Sequence, residues 1–382
     1  MSRFDELIAE LCPDGVEYRK LGDVVDILDS KRKPVKRGER SKGEYPYYGA
    51  NGIQDFVGGY IFDGTFLLVG EDGSVITADG KPIINWAVGK IWVNNHAHVL
   101  QESPDSAASL RYLKYALECK DVTDIVRGTP PKLNQKNLRE IEIPIPPIEV
   151  QHEIVRILDS FAELEAELEA ELEARKAQYA YYRDRLLSRE SLEAMDGKPV
   201  EMVRLGDIAE IGTGSHDTKD AVVDGAYRFY ARGVEPLKLN EFDFDETAII
   251  TAGDGAGVGK VFHFVEGKYA LHQRAYRLVP EGDSLSARYL YHVLRAFFYD
   301  YIMKNAVQGS VASVRRRMLD NFPVSLPSLS TQQKVVDILD RFDALTTSLT
   351  DGIPAEIEAR RQQYEYYRDR LLDLPRKDAD AA

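Results

Sequence analysis

The string "YYRDRLL" fills residues 181–187, and the same seven letters return at 366–372. Such an identity calls for a search for internal repetition, and the similarity extends on both sides. "DGVEYRKLGDVVDI" (14–27) resembles "DGKPVEMVRLGDIAEI" (196–211), "YYGANGI" (47–53) resembles "FYARGVE" (229–235), and "LLVGEDGS" (67–74) resembles "IITAGDGA" (249–256). Further on, "RYLKYAL" (111–117) answers "RYLYHVL" (288–294), and "IPIPPIEVQHEIVRILDSF" (143–161) answers "VSLPSLSTQQKVVDILDRF" (324–342). The chain is one long unit written twice, and "YYRDRLL" closes each copy.

Each copy changes character midway. Short apolar runs such as "TFLLVG" and "KIWVNNHAHVL", punctuated by Gly, Asn-Gly and Asp-Gly, predict strands joined by turns. After "IPIPP" the pattern switches. Residues 149–194 lack Pro and Gly, and Ile154, Ile157, Phe161, Leu164 and Leu168 follow helical spacing. This predicts one continuous helix of about 45 residues, about 70 Å long. The second copy carries Val335, Ile338, Phe342, Leu345 and Leu349 at the same spacing, with Thr331 as candidate N-cap. There "TDGIP" predicts a break, with Gly352 as a helix C-cap and Pro354 in the first turn of the next helix.

Two amphipathic helices in one chain favour antiparallel pairing, because each alone would leave its stripe in water. The expected fold is therefore α+β, with two β-rich domains separated by two long antiparallel helices in a pseudo-two-fold repeat. The expected divisions are a helical segment 1–20, a first head 21–148, a first helix 149–195, a second head 196–330, and a second helix with tail 331–382. Within the first helix, "AELEAELEAELE" (162–173) repeats every four residues against 3.6 per turn, so Leu164, Leu168 and Leu172 drift around the helix. It is either a solvated acidic stretch or a spacer whose length matters.

At 382 residues the chain has room for two or three domains, and its 44% hydrophobic content is globular. No apolar run reaches the roughly 18–20 residues of a membrane helix. Acidic Asp5, Glu6 and Glu10 interrupt any signal-like start, so a cytoplasmic protein is expected. Cys12 and Cys119 are too few and too far apart for a disulfide framework or a zinc site, and reduced thiols are expected. The formal charge of −14 disfavours a nucleic-acid partner only as an average. The acid concentrates in "ELEAELEAELEA", whereas "SKRKPVKRGERSK" carries Lys31, Arg32, Lys33, Lys36, Arg37, Arg40 and Lys42 against Glu39 alone. Local sign governs what a face can bind.

Catalytic patterns are missing from the sequence. "GDGAGVG" (253–259) has neither the dinucleotide-binding register nor a following helix, and no phosphate-cradling G-x-x-x-x-G-K-[ST] occurs. "TPPK" (129–132) lacks the residues of an amino-methyltransferase motif. "PDGVEYRK" (13–20) resembles a nuclease cluster only superficially, since its copy has lost the pattern. His96 and His98 share a strand face but have no third ligand nearby in sequence, and His272 reads as a hydrogen-bonded strand residue.

The "PIPPIEVQHEIVRILDSF" junction and its copy, the tetrapeptide-repeat helix and the paired "YYRDRLL" ends resemble the specificity subunit of a type I DNA restriction-modification system, over nearly the whole chain. The resemblance implies a non-catalytic subunit whose two target recognition domains each read one half of a split duplex DNA site. It implies helices that dock two methyltransferase subunits, restriction/translocase subunits joining the assembly, and S-adenosylmethionine held by the methyltransferase rather than this chain. No membrane partner is expected. Two heads with dissimilar basic positions suit two different half-sites.

Charged loops flanked by turns are the candidate DNA contacts. In the first head these are Lys31, Arg32, Lys33, Lys36 and Arg37, then Arg127 and Lys132 in "RGTPPKLN". In the second they are His216 and Lys219, Arg232, Lys304, and Arg315, Arg316 and Arg317 in "GSVASVRRR", taken as the matching loop. Lysines suit phosphates, and arginines can also fork onto guanine. Tyr47, Tyr48, Phe229 and Tyr230 are either base contacts or core. For partner docking the candidates are Tyr181, Tyr182 and Leu186, repeated as Tyr366, Tyr367 and Leu371, with helix packing as the alternative role. A coiled-coil adaptor whose heads bind proteins is the competing reading, and a stand-alone nuclease or methyltransferase a weaker third.

Overall fold

The strand "TFLLVG" shows how each head is built. Phe66, Leu67, Leu68 and Val69 are all buried, yet Leu67 and Val69 join one hydrophobic cluster while Phe66 and Leu68 join another. Alternate side chains leave opposite faces of a strand, so an uninterrupted apolar run marks a sheet covered on both sides. In the second copy Ile249 packs on one side and Ala248 and Ile250 on the other.

The computed structural model describes residues 2–104, 106–304, 313–348 and 352–377. In chain order the first copy runs α1 (Arg3–Leu11), β1 (Glu17–Lys20), β2 (Val25–Ile27), β3 (Lys42–Gly49), β4 (Gly52–Val57), β5 (Phe62–Gly70), β6 (Ile84–Val93), β7 (Ala97–Glu102), α2 (Leu110–Glu118), α3 (Gln135–Arg139), β8 (Glu142–Ile145) and α4 (Ile148–Leu186). The second runs α5 (Arg189–Asp196), β9 (Glu201–Arg204), β10 (Ala209–Thr213), β11 (Tyr227–Tyr230), β12 (Leu237–Leu239), β13 (Phe244–Ala252), β14 (Phe262–Leu271), β15 (Ala275–Pro280), α6 (Ala287–Lys304), α7 (Arg316–Asp320), β16 (Pro323–Leu326), α8 (Leu329–Thr347) and α9 (Ile353–Leu372).

The sheets repeat strand for strand. One six-stranded sheet has the order β2-β7-β5-β6-β3-β4 and the other β10-β15-β13-β14-β11-β12. Their ladders are antiparallel except β3 with β6 and β11 with β14, which are parallel. A small antiparallel ribbon, β1 with β8 or β9 with β16, closes each head. This is the expected α+β repeat with long helices between its heads. The chain divides into two compact units, residues 1–167 with 357–382, and residues 168–356. Both divisions fall inside long helices.

One buried glutamine per copy explains the junction motif. The Gln151 side chain accepts a hydrogen bond from the Ser109 amide and donates to the carbonyls of Ala107 and Pro146 at 2.7 and 2.8 Å. Gln332 does the same with the Ser286 amide and the carbonyls of Ser284 and Pro327. Each glutamine thereby ties the start of its helix to the head.

Helix ends depart from the sequence expectations. The first long helix stops at Leu186 instead of running to residue 194, because the Ser188 hydroxyl caps α5 by accepting the Ser191 amide, and Leu187 and Leu192 turn into the core of the second unit. Ser328, not Thr331, caps α8, and the Thr331 hydroxyl donates to Asp196 at 2.7 Å from inside the first turn. The break before α9 is present and Pro354 lies in its first turn, but Ser348 takes the C-cap position of α8. Gly352 instead packs over that helix end, where a Cβ would come within 2.7–2.9 Å of the carbonyl oxygens of Ala344, Leu345 and Ser348. Leu349 lies outside the described residues. In the repeat helix Leu168 is buried and Leu164 and Leu172 half-buried, while most glutamates between them are exposed.

Within the first unit, Phe161 of α4 stacks on Tyr367 of α9, and Glu165 pairs with Arg361 at 2.6 Å. Rising numbers on one helix meet falling numbers on the other, so the pair is antiparallel there. No helix among the described residues is long and apolar enough to cross a membrane.

Candidate nucleic-acid interface

In each head the same three segments meet, joined by equivalent backbone hydrogen bonds. The segment after β2 is tied to the end of β6 by the Lys33 amide donating to the Val93 carbonyl, and its counterpart by the His216 amide donating to Leu271. The turn between β6 and β7 is tied to β3 by the Asn94 amide donating to Tyr48, and the β14–β15 turn to β11 by His272 donating to Tyr230. The segment before α3 joins the end of β5 through the Leu133 amide on the Glu71 carbonyl, and that before α7 joins β13 through Val314 on Gly253. Lys31–Lys33 and Arg127–Lys132, far apart in sequence, therefore lie at one edge of the first head.

The structure divides the basic residues of the first head by role. Lys31, Lys33, Lys36, Arg37, Arg127 and Lys132 are exposed. Arg32 turns inward. Its side chain is 12% exposed, and the guanidinium bonds Glu71 at 2.5 Å and the Ala97 carbonyl at 2.8 Å, so the expectation of a DNA contact there is corrected. Lys132 reaches the same Glu71 at 3.4 Å. Buried His98 bridges Asp29 at 2.6 Å and the Leu133 carbonyl at 2.8 Å. Burial pushes the Asp29 carboxyl up, but the hydrogen bond and charge of His98, the Val99 amide and Arg32 outweigh it and hold the group below the usual carboxylate range. Asp29, Glu71 and His98 are spaced closely enough to hold a cation. Arg32 already neutralises that cluster, so it acts as a latch between two loops.

In the second head Lys219 lies in a short helical turn at Thr218–Asp220, and the neighbouring Asp217 accepts from Gln273 at 3.2 Å. His216 pairs with Asp243 at 3.0 Å. Arg232 and Arg274 both bond Asp254 at 3.0 Å. Partial burial works against ionised Asp254, yet the two guanidinium groups hold its carboxyl below the ordinary range. Arg315, Arg316 and Arg317 are exposed at the start of α7. The loop register expected from sequence shifts here. Asp72 pairs with Lys132 and Asp254 with Ser313, and Asn134 and Arg315 occupy the N-cap positions of α3 and α7. The arginines thus correspond to Asn134–Lys136 rather than Arg127–Lys132; residues 305–312 of that loop lie outside the described residues. Lys304 is exposed at the end of α6, and no described contact joins it to this face.

The aromatic residues take the packing role. Tyr47, Tyr48, Phe229 and Tyr230 are 1%, 8%, 0% and 4% exposed. Sequence reading missed the β6–β7 and β14–β15 turns, because "NNH" and "HQR" carry no basic run or glycine signal.

A family model described as the type I restriction modification DNA specificity domain matches the chain twice, at residues 13–174 and 197–359. The chain belongs to that family. It is similar to a type I restriction enzyme specificity subunit of Haemophilus influenzae, 33% identical over 94% of this chain and 96% of that protein. It is 30% identical to the EcoR124I/EcoR124II specificity subunit of Escherichia coli over 82% of this chain and 86% of the relative. The crystal structure of the type I restriction-modification system S subunit from M. genitalium has the same fold, with a TM-score of 0.58, 18% identity, and coverage of 94% of this chain and 95% of that one. Each half of this specificity-family chain is thus a DNA specificity domain.

The repeated family ends are also matched side chain by side chain. Tyr367 stacks on Phe161 at 5.5 Å and Tyr182 on Phe342 at 5.9 Å. Leu371 is buried, Leu186 packs at the edge of its core, and Tyr181 and Tyr366 are 60% and 61% exposed. Of the six docking candidates, Tyr367, Leu186 and Leu371 serve packing, Tyr182 does so in part, and Tyr181 and Tyr366 keep largely exposed rings at equivalent places, each edge-on to the tyrosine that follows it.

Proposed function

We propose that the chain reads a bipartite, asymmetric duplex DNA site, one half-site per head, and carries two methyltransferase subunits on its helices. What supports this most is one scaffold, repeated to single hydrogen bonds, that offers different charged side chains in each copy. Lys31, Lys33, Lys36, Arg37, Arg127 and Lys132 serve the first half-site, and Lys219, Arg232, Arg315, Arg316 and Arg317 the second. Lysines hold phosphates and fix register, while arginines also reach base edges. The methyl donor and the transfer chemistry belong to the methyltransferase, and restriction/translocase subunits complete the assembly. Tyr181 and Tyr366 present two like surfaces, which suit two copies of one partner.

The test is to co-express the chain with a type I methyltransferase subunit from the same source and sequence the methylated DNA. A single split motif with two dissimilar halves is expected, with two partner copies per chain by native mass spectrometry. Methyl transfer by the chain alone, a contiguous motif, or a one-to-one complex at saturation would contradict the reading.

A further inference from the structure

We infer that the β6–β7 turn, through Asn95 and His96, and the β14–β15 turn, through Gln273 and Arg274, are the specificity-determining elements at which the two heads read different bases. This rests on the proposed role of the chain as a DNA sequence reader. The two turns are equivalent by hydrogen bonding. Asn94 is 3% exposed and its side-chain oxygen accepts from the His96 amide at 2.8 Å; His272 is 2% exposed and its Nδ1 accepts from the Arg274 amide at 2.9 Å. Glu71 and Gly253 then donate their amides to the carbonyls of His96 and Arg274, each at 2.8 Å. A single buried polar residue therefore closes each turn, and the two side chains that follow stay outside the core, with Gln273 donating to Asp217 at 3.2 Å.

Those two side chains point outward between the segments that carry the basic residues. Asn95, His96, Gln273 and Arg274 are all exposed. An aspartate stands behind the last position in each turn: Asp72 lies 3.7 Å from His96, and Asp254 lies 3.0 Å from Arg274. A carboxylate that holds one edge of a guanidinium aims the remaining donors and limits the rotamers lost on binding. Only the functional groups differ, a carboxamide with an imidazole in one head and a carboxamide with a guanidinium in the other. Carboxamides suit adenine, and a guanidinium fork suits the two acceptors of guanine. A fixed scaffold with exchanged hydrogen-bonding groups is what two readers of different half-sites require. Arg274 accordingly reads a guanine in the second half-site.

The experiment uses the chain assembled with its methyltransferase and maps methylated sites. Arg274→Lys keeps a cation facing Asp254 but removes the fork. It should relax one position of the second half-site by about tenfold or more and leave every position of the first unchanged. Exchanging the pair, Gln273→Asn with Arg274→His, should shift that position's preference again, with the first half-site as internal control of assembly. An unchanged motif for both variants would overturn the inference, as would equal weakening at all sequences, which marks a phosphate contact or a structural role. If the exchanged pair destabilises the head, Arg274→Lys alone decides between these outcomes. Absence of any sequence preference in the unmutated assembly would instead overturn the proposed function itself.

Discussion

Arg32 and Lys33 are neighbours with opposite fates, and the difference is geometric. The Arg32 guanidinium has two carboxylates and two carbonyls within reach inside the head, whereas Lys33 is exposed to solvent. Replacing Lys31, Lys33 and Lys36 together by Ala should weaken DNA binding at all sequences and flatten its salt dependence by about one unit of slope per lost phosphate contact. Replacing Arg315, Arg316 and Arg317 by Ala should relax the second half-site alone. Binding titrations at several salt concentrations on matched and half-matched duplexes separate the two, and loss of both half-site preferences from the arginine change would refute separate heads. Gln151 tests the fold at the same scale. Gln151→Leu unpairs the half-buried Ser109 amide, the exposed Ala107 carbonyl and the buried Pro146 carbonyl, and since only the last is cut off from water a loss of about 1–3 kcal/mol in urea unfolding is expected. An unchanged midpoint would show that the clamp contributes nothing.

Between elements, the repeat keeps a position and changes its chemistry. Arg111 and Tyr115 of α2 bond Asp159 of α4, and Arg288 and His292 of α6 bond Asp340 of α8. Burial holds the His292 ring below its ordinary value of 6.5, against the opposing pull of Asp340 and Asp343 and with the help of Arg288. The neutral ring is therefore the folded form. As pH falls through about 6.5 the unfolded chain takes up a proton that the folded chain refuses, and stability drops by up to about 1.4 kcal/mol per pH unit. Above that window His292 contributes no pH dependence. His292→Gln, which still donates to Asp340 but cannot ionise, should flatten the stability of the second unit between pH 7 and 5. Hydrogen exchange of α6 amides in both proteins across that range provides the check, and parallel curves would exclude His292 as the cause.

For the whole molecule, the boundary between the two units falls inside the "AELE" repeat of α4. Inserting one further "AELE" after Glu173 adds about 6 Å and turns the far end by about 40° beyond a full turn. One base pair of duplex advances about 3.4 Å and rotates about 34°. Rotation matches one added pair while length alone would allow nearly two. Each head must face its groove, so the angle decides and the gap between half-sites should grow by one base pair with both half-site sequences kept. Sequencing of methylated sites for the insertion variant tests this, and an active variant with an unaltered gap would remove the ruler role from the helix.

Repetition, strand-rich heads, the long helices and the family resemblance were all legible in the sequence, because periodicity and repeated strings survive without coordinates. "YYRDRLL" showed the duplication, and apolar spacing showed the helices. Side-chain direction was not legible. Arg32 and Lys33 read alike as letters, and only the placement of Glu71 and Ala97 from distant strands turns one inward. Tyr181 and Tyr182 are adjacent, yet Tyr182 stacks on Phe342 while Tyr181 is the more exposed ring. The base-facing turns escaped notice for the same reason. Their anchors, Asn94 and His272, acquire meaning only when β3 and β11 supply the carbonyls of Tyr48 and Tyr230, and such pairing between segments far apart in sequence is set by tertiary folding rather than by local composition.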